Sequence, residues 1–196
     1  MNSFKTLAAC SLAFALTATA PAFAREMVST ITELDSLPPL PGDFPEPHDP
    51  GQLFFLQRSM NSNTVVYAAN LDQSGAIDPA QPLQVFWRRY NNEGERRGLN
   101  FFERVLAFGA RIVHAHAGEY DATIAGYPER KFTVELDKTG TPIAIARMGE
   151  HLARLFAVYV KMEGSGFIPT IVSADIFGID EATGKALQEH LVPRGN

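Results

Sequence analysis

With one cysteine, one tryptophan and five histidines, this 196-residue chain carries little of the equipment of redox or metal chemistry. The cysteine, Cys10, sits inside an apolar N-terminal stretch. If that stretch is removed, the remaining chain has neither thiol nor disulfide and must be held by its core alone. Positive charge is also scarce. Seventeen Lys and Arg face 22 Asp and Glu, for a net charge of −5, which argues against a nucleic-acid partner. The chain has no G-x-S-x-G elbow, no P-loop and no G-x-G-x-x-G turn, so nothing points to the common nucleophile or phosphate-cradle chemistries. No apolar run reaches the length of a bilayer-spanning helix.

The N-terminus instead has the layout of an export leader. Lys5 gives a positive start, Leu7 to Ala20 is nearly all apolar, and Ala22-Phe23-Ala24 offers small residues for cleavage after Ala24. Leu7-Ala8-Ala9-Cys10 also resembles the box before a lipidated cysteine, but the apolar run follows that cysteine rather than preceding it. The expectation is therefore an exported product, periplasmic or extracellular, starting at Arg25 and without a transmembrane anchor. Its charge is −6, from sixteen basic and 22 acidic residues.

Residues 25–50 read as an extended arm, because Pro38, Pro39, Pro41, Pro45, Pro47 and Pro50 break any helix or central strand. Residues 51–196 read as a single β-rich domain. Strands are predicted over Leu53–Arg58, Thr64–Leu71, Leu83–Tyr90, Arg111–His116, Glu119–Ala125, Lys131–Leu136, Pro142–Met148, Leu152–Met162 and Ile168–Phe177, from alternating Val, Ile, Phe and Tyr. Asp137-Lys138-Thr139-Gly140 supplies a hairpin turn. One short helix near 100–108 interrupts the series. Asn100 and Glu103 have capping-box spacing, and Gly109 fits a left-handed stop. The expected fold is mainly β, an antiparallel up-and-down barrel or sandwich of about eight or more strands.

Several ordered segments carry a family resemblance. Phe55-Leu56-Gln57-Arg58-Ser59, Asn61, Asn63 and Thr64-Val65-Val66-Tyr67 open it. Val85-Phe86-Trp87-Arg88-Arg89-Tyr90, Leu99-Asn100-Phe101 and Ala107-Phe108-Gly109 continue it. Ile176-Phe177-Gly178 and Thr183-Gly184-Lys185 close it. Over roughly Leu53 to Pro193 the chain resembles the family catalogued as domain of unknown function 4833. The resemblance implies an exported domain with no assigned activity, so no catalytic residue is carried over.

Strand parity gives the sharpest candidate site. Residues two apart share a face. Arg58 follows Phe54 and Leu56, Arg88 lies with Phe86 and Tyr90, Arg147 follows Ile143 and Ile145, and Arg154 lies with Leu152, Phe156, Val158 and Val160. Four guanidiniums on apolar faces suit a cavity for an amphipathic anion, with Trp87 as a stacking platform or a core residue. The bland account is that these arginines pair with acids such as Glu103, Glu150 or Asp175 and fix the sheet.

His114-Ala115-His116 puts two imidazoles on one strand face and resembles the first metal motif of cupins. The spacing before Glu119 is one residue short, and no second motif follows. His114 and His116 thus remain bare candidate ligands, and no cofactor is expected. The leading expectation is an exported ligand-binding module. A structural or interaction protein engaging an envelope partner, and a metal-dependent or hydrolytic enzyme, stand as alternatives.

Overall fold

A computed structural model describes residues 26–164 and 170–194; the stretch expected to be an export leader and Ile168 lie outside the described residues. The chain is mainly β, as its alternation predicts. Among the described residues twelve strands form one sheet: β1 (Met27–Leu34), β2 (Gln52–Arg58), β3 (Asn61–Ala69), β4 (Leu83–Arg89), β5 (Glu95–Gly98), β6 (Ala110–His116), β7 (Glu119–Ile124), β8 (Tyr127–Leu136), β9 (Pro142–Met148), β10 (His151–Glu163), β11 (Thr170–Asp180) and β12 (Ala186–Pro193). The sheet curls into a half-barrel.

The 13-residue β10 is its spine. One edge pairs with β11. The other is shared: Ala157–Val160 pair with β2, and His151–Arg154 pair with β9. Two arms therefore branch from β10, β2-β3-β4-β5 on one side and β9-β8-β7-β6 on the other, with β11-β12-β1 opposite. The β2–β10 pairing is parallel; every other strand pairing is antiparallel. β10 bulges between Leu155 and Ala157, and a bulge shifts which side chains face inward. Gly178 lies opposite Leu155 at this point, and a Cβ there would meet Arg154 O at 2.9 Å and Met148 Sδ at 3.1 Å. The glycine lets two twisted strands come close.

Inside the curl, Phe54 stacks on Tyr67 at 4.5 Å between ring centroids and meets Phe132 edge-on at 5.2 Å. The outside of the sheet is covered differently. The segment expected as an extended arm contributes β1, which pairs with β12 over its whole length. Residues 35–50 then cross the outer face, where Leu40 is buried with Phe55, Ala157, Tyr159 and Phe177. This stretch works as a strap, and its prolines suit a path outside the ladder.

The capping box forms as its spacing predicts. Asn100 N donates to Glu103 Oε2 at 2.7 Å, and Glu103 N donates to Asn100 Oδ1 at 2.9 Å. The helical segment it opens is short and wide, π-helical over Glu103–Ala107, with Phe108 N donating to Glu103 O at 2.7 Å. Gly109 closes it for a reason other than the expected left-handed stop, since its φ is not positive. A Cβ there would lie 1.9 Å from Arg104 O, so only glycine fits beneath the widened turn.

Candidate functional site

The concave face encloses a cavity of about 70 Å³. Phe54 and Leu56 of β2, Phe132 of β8, Val158 and Val160 of β10 and Ile176 of β11 supply apolar walls, and Phe108 from the helical segment closes one side. Alternation puts these residues inward, and the β10 bulge brings Val158 and Val160 into phase with β2.

Among the described residues, Arg130 is the one charged side chain lining the cavity. It is held by Glu189, which is 1% exposed. Nη2 donates to Oε1 at 2.7 Å, Nη1 donates to Oε2, and the Ser29 hydroxyl donates to Oε1 at 2.6 Å. Burial works against the Arg130 charge, but bonding and attraction to Glu189 outweigh it, and the guanidinium pKa is raised. This is a closed fork-to-fork pair with both partners satisfied.

Arg58 has a different setting. Its guanidinium carbon lies 4.8 Å from the centroid of Trp87 and 5.6 Å from that of Phe108, a cation–π arrangement against two rings. Its Nε is buried with no hydrogen-bond partner among the described residues. Burial lowers the pKa of this guanidinium, and the negative charge of Glu103 offsets only part of that. Phe108 is thus shared, one residue lining the cavity and carrying the cation at its rim. Tyr67 fixes it: burial pushes the phenol pKa up, and the neutral hydroxyl donates to Phe108 O at 2.8 Å.

The four arginines read from parity are not brought together. Arg58 alone shares the cavity face. Arg88 alternates with the buried Trp87 and points to the outer face, where Nε donates to Asp49 Oδ2 at 2.9 Å and Nη1 to Gly94 O at 2.9 Å. Asp49 ends the strap, so Arg88 is its latch. Arg147 is exposed and alternates with the buried Ala146 and Met148. Arg154 is exposed, alternates with the buried Ala153 and Leu155, and lies 3.9 Å from Glu181. Tyr90 begins the 3₁₀ turn Tyr90–Asn92 on the Arg88 side, where burial, then the Asp49 charge, raises its pKa.

Trp87 is both core and platform, since it is 6% exposed and bears Arg58 on its face. His114 and His116 are exposed on β6, opposite Asp121 and Glu119 in register. Among the described residues no three His, Cys, Asp or Glu side chains gather to hold a metal.

Sequence reasoning missed Arg130 and Glu189. The signal was available, because Glu189 alternates with Leu187 and Leu191, and Arg130 with Phe132 and Val134. An acid on one apolar face calls for a cation on another.

Fold and site define a β-rich half-barrel with a small apolar cavity flanked by one neutralised arginine and one whose buried Nε has no partner among the described residues. The chain belongs to the family described as Domain of unknown function (DUF4833), which it matches over residues 54–190. No curated protein and no solved structure matches it.

Proposed function

We propose that this chain is an exported binding module whose half-barrel takes the short apolar part of a small anion, with the anionic group on Arg58. Export rests on Lys5, the apolar run Leu7–Ala20 and Ala22-Phe23-Ala24. The observation that carries the ligand class is Arg58: a guanidinium packed on two rings beside an apolar cavity, with a buried donor left unused. Buried donors are normally paired, and a carboxylate or phosphate oxygen is the partner that a guanidinium best accommodates. Arg130 is less suited to the role, because Glu189 already occupies its fork.

The volume limits the apolar part. About 70 Å³ is under half of the ~150 Å³ engineered cavity that accepts benzene, so the site suits a short aliphatic or branched group rather than a long acyl chain. Among the described residues the lining contains no serine, histidine or carboxylate, and the nearby Glu189 is engaged by Arg130 and Ser29, which favours binding over catalysis.

Calorimetric titration with pentanoate and with pentan-1-ol tests the reading. The carboxylate should bind at least roughly tenfold more tightly than the alcohol, and Arg58→Met should erase that preference. Equal binding of the two compounds, an unchanged preference in Arg58→Met, or no heat from either compound would overturn the proposal.

A further inference from the structure

We infer that the turn between β5 and β6 is a docking element for an anionic lipid surface. Phe101 and Phe102 are 71% and 70% exposed, their rings in edge contact at 5.6 Å, and Leu106 and Val105 on the same segment are 54% and 45% exposed. β6 follows directly with Ile112 and Val113 exposed, and it is the last strand of its arm. Single exposed apolar residues need no explanation, but six within thirteen positions form a patch.

Charge selects the occupant. The segment that carries the patch, residues 99–113, holds Arg104 and Arg111 against Glu103 alone in a chain whose total is −5, and Arg96 and Arg97 precede it next to Glu95. Glu103 is moreover turned back onto Asn100 N by the capping box. A second copy of the chain would set two such basic segments against each other, so like charge disfavours self-association. An anionic partner with an apolar interior is favoured. The exposed phenylalanines stand on a turn flanked by guanidiniums rather than in a groove. Aromatic side chains beside arginines fit a headgroup layer, where rings enter the acyl boundary and guanidiniums meet lipid phosphates. The opposite end of this segment reaches the cavity wall through Ala107 and Phe108, so docking would hold the cavity near the lipid surface. The inference stands on exposed side chains and charge, independently of what the cavity binds.

The test is sedimentation of the protein, expressed from the whole chain, with vesicles of phosphatidylcholine alone and with phosphatidylglycerol added. Association should require the anionic lipid, weaken as salt is raised, and fall at least about tenfold in a Phe101→Ser/Phe102→Ser variant. Both side chains are mostly exposed, so this variant should keep its melting temperature, and Arg104→Gln/Arg111→Gln offers a second route through charge alone. Undiminished binding in both variants overturns the inference. So does failure to bind anionic vesicles, including the case in which the patch proves to bury itself against an acidic protein.

Discussion

Arg58 and Arg88 begin from the same sequence situation, a guanidinium at the end of a strand whose alternate residues are apolar, and end in opposite conditions. Arg88 emerges on the outer face, where the strap delivers Asp49 and closes a bidentate pair. Arg58 stays on the inner face, where two aromatic rings surround it and no acid bonds its buried Nε. The difference lies in what the chain lays over each face. The strap brings a carboxylate to the outside, whereas the curl of the sheet brings apolar side chains to the inside. A paired arginine stabilises the protein, and an unpaired one is available to something else.

Changes to the apolar walls should break this contrast most severely. Phe54→Ala removes a ring that is 1% exposed and packed on Tyr67 and Phe132, and should cost about 3–5 kcal/mol in urea denaturation. A loss below about 1 kcal/mol would mean that the inner face tolerates collapse and does not maintain a cavity.

Asp49→Ala comes next. It strands Arg88, but that side chain is 30% exposed and water can replace part of the lost bonding, so the cost should be about 1–2 kcal/mol. Hydrogen exchange should rise in residues 35–50 and not around β8. Uniform loosening of both faces would show that the strap has no separate role.

Arg58→Met sharpens the comparison by its small effect. Removing a half-buried cation whose Nε bonds no acid among the described residues should leave stability within about 1 kcal/mol of the parent or raise it, while binding of the carboxylate is lost. A loss above about 2 kcal/mol would make Arg58 a structural residue like Arg88.

The smallest effect is expected where a charge is paired within its own hairpin. Asp180 accepts a bond from His151 and from the backbone N–H groups of Ala182 and Thr183, with the His151 contact chiefly responsible for holding its pKa below the usual carboxylate value. With the folded pKa depressed, this contribution is complete above the unfolded value and is lost as pH falls through the folded one. Denaturation at pH 7 and pH 3 should show a shallower acid loss in Asp180→Asn. Identical acid limbs would sink the assignment.

Much of the fold was legible because alternation and turn chemistry are local. Phe54 and Leu56, the Asp137–Gly140 hairpin and the Asn100–Glu103 box each declare themselves within a few residues. β1 and β12 were hidden by composition: prolines 38–50 coloured the reading of Met27–Leu34, and Gln188, Glu189 and His190 broke up the apolar run of Ala186–Pro193. Arg130 lay just outside the strand expected over Lys131–Leu136; β8 begins at Tyr127, with Pro128 near its start beside a register shift where no regular ladder bond is required. Arg147 followed parity within its strand, but the β10 bulge broke it for Arg154, which faces away from Val158 and Val160. Parity gives only relative direction, however, and the face of both arginines proved to be the outer one.

By itself the sequence determined the β class, the family and the short helical turn with its glycine at position 109. Those features depend on period two, on steric limits at single residues and on composition, all properties of neighbours along the chain. Only the tertiary structure decided that β10 joins two arms, that the strap gives Asp49 to Arg88, and that Glu189 rather than a ligand satisfies Arg130. It also decided that the buried Nε of Arg58 has no bonded partner among the described residues. These outcomes depend on which distant segment covers which face, and a residue's own neighbours in the sequence carry no information about that.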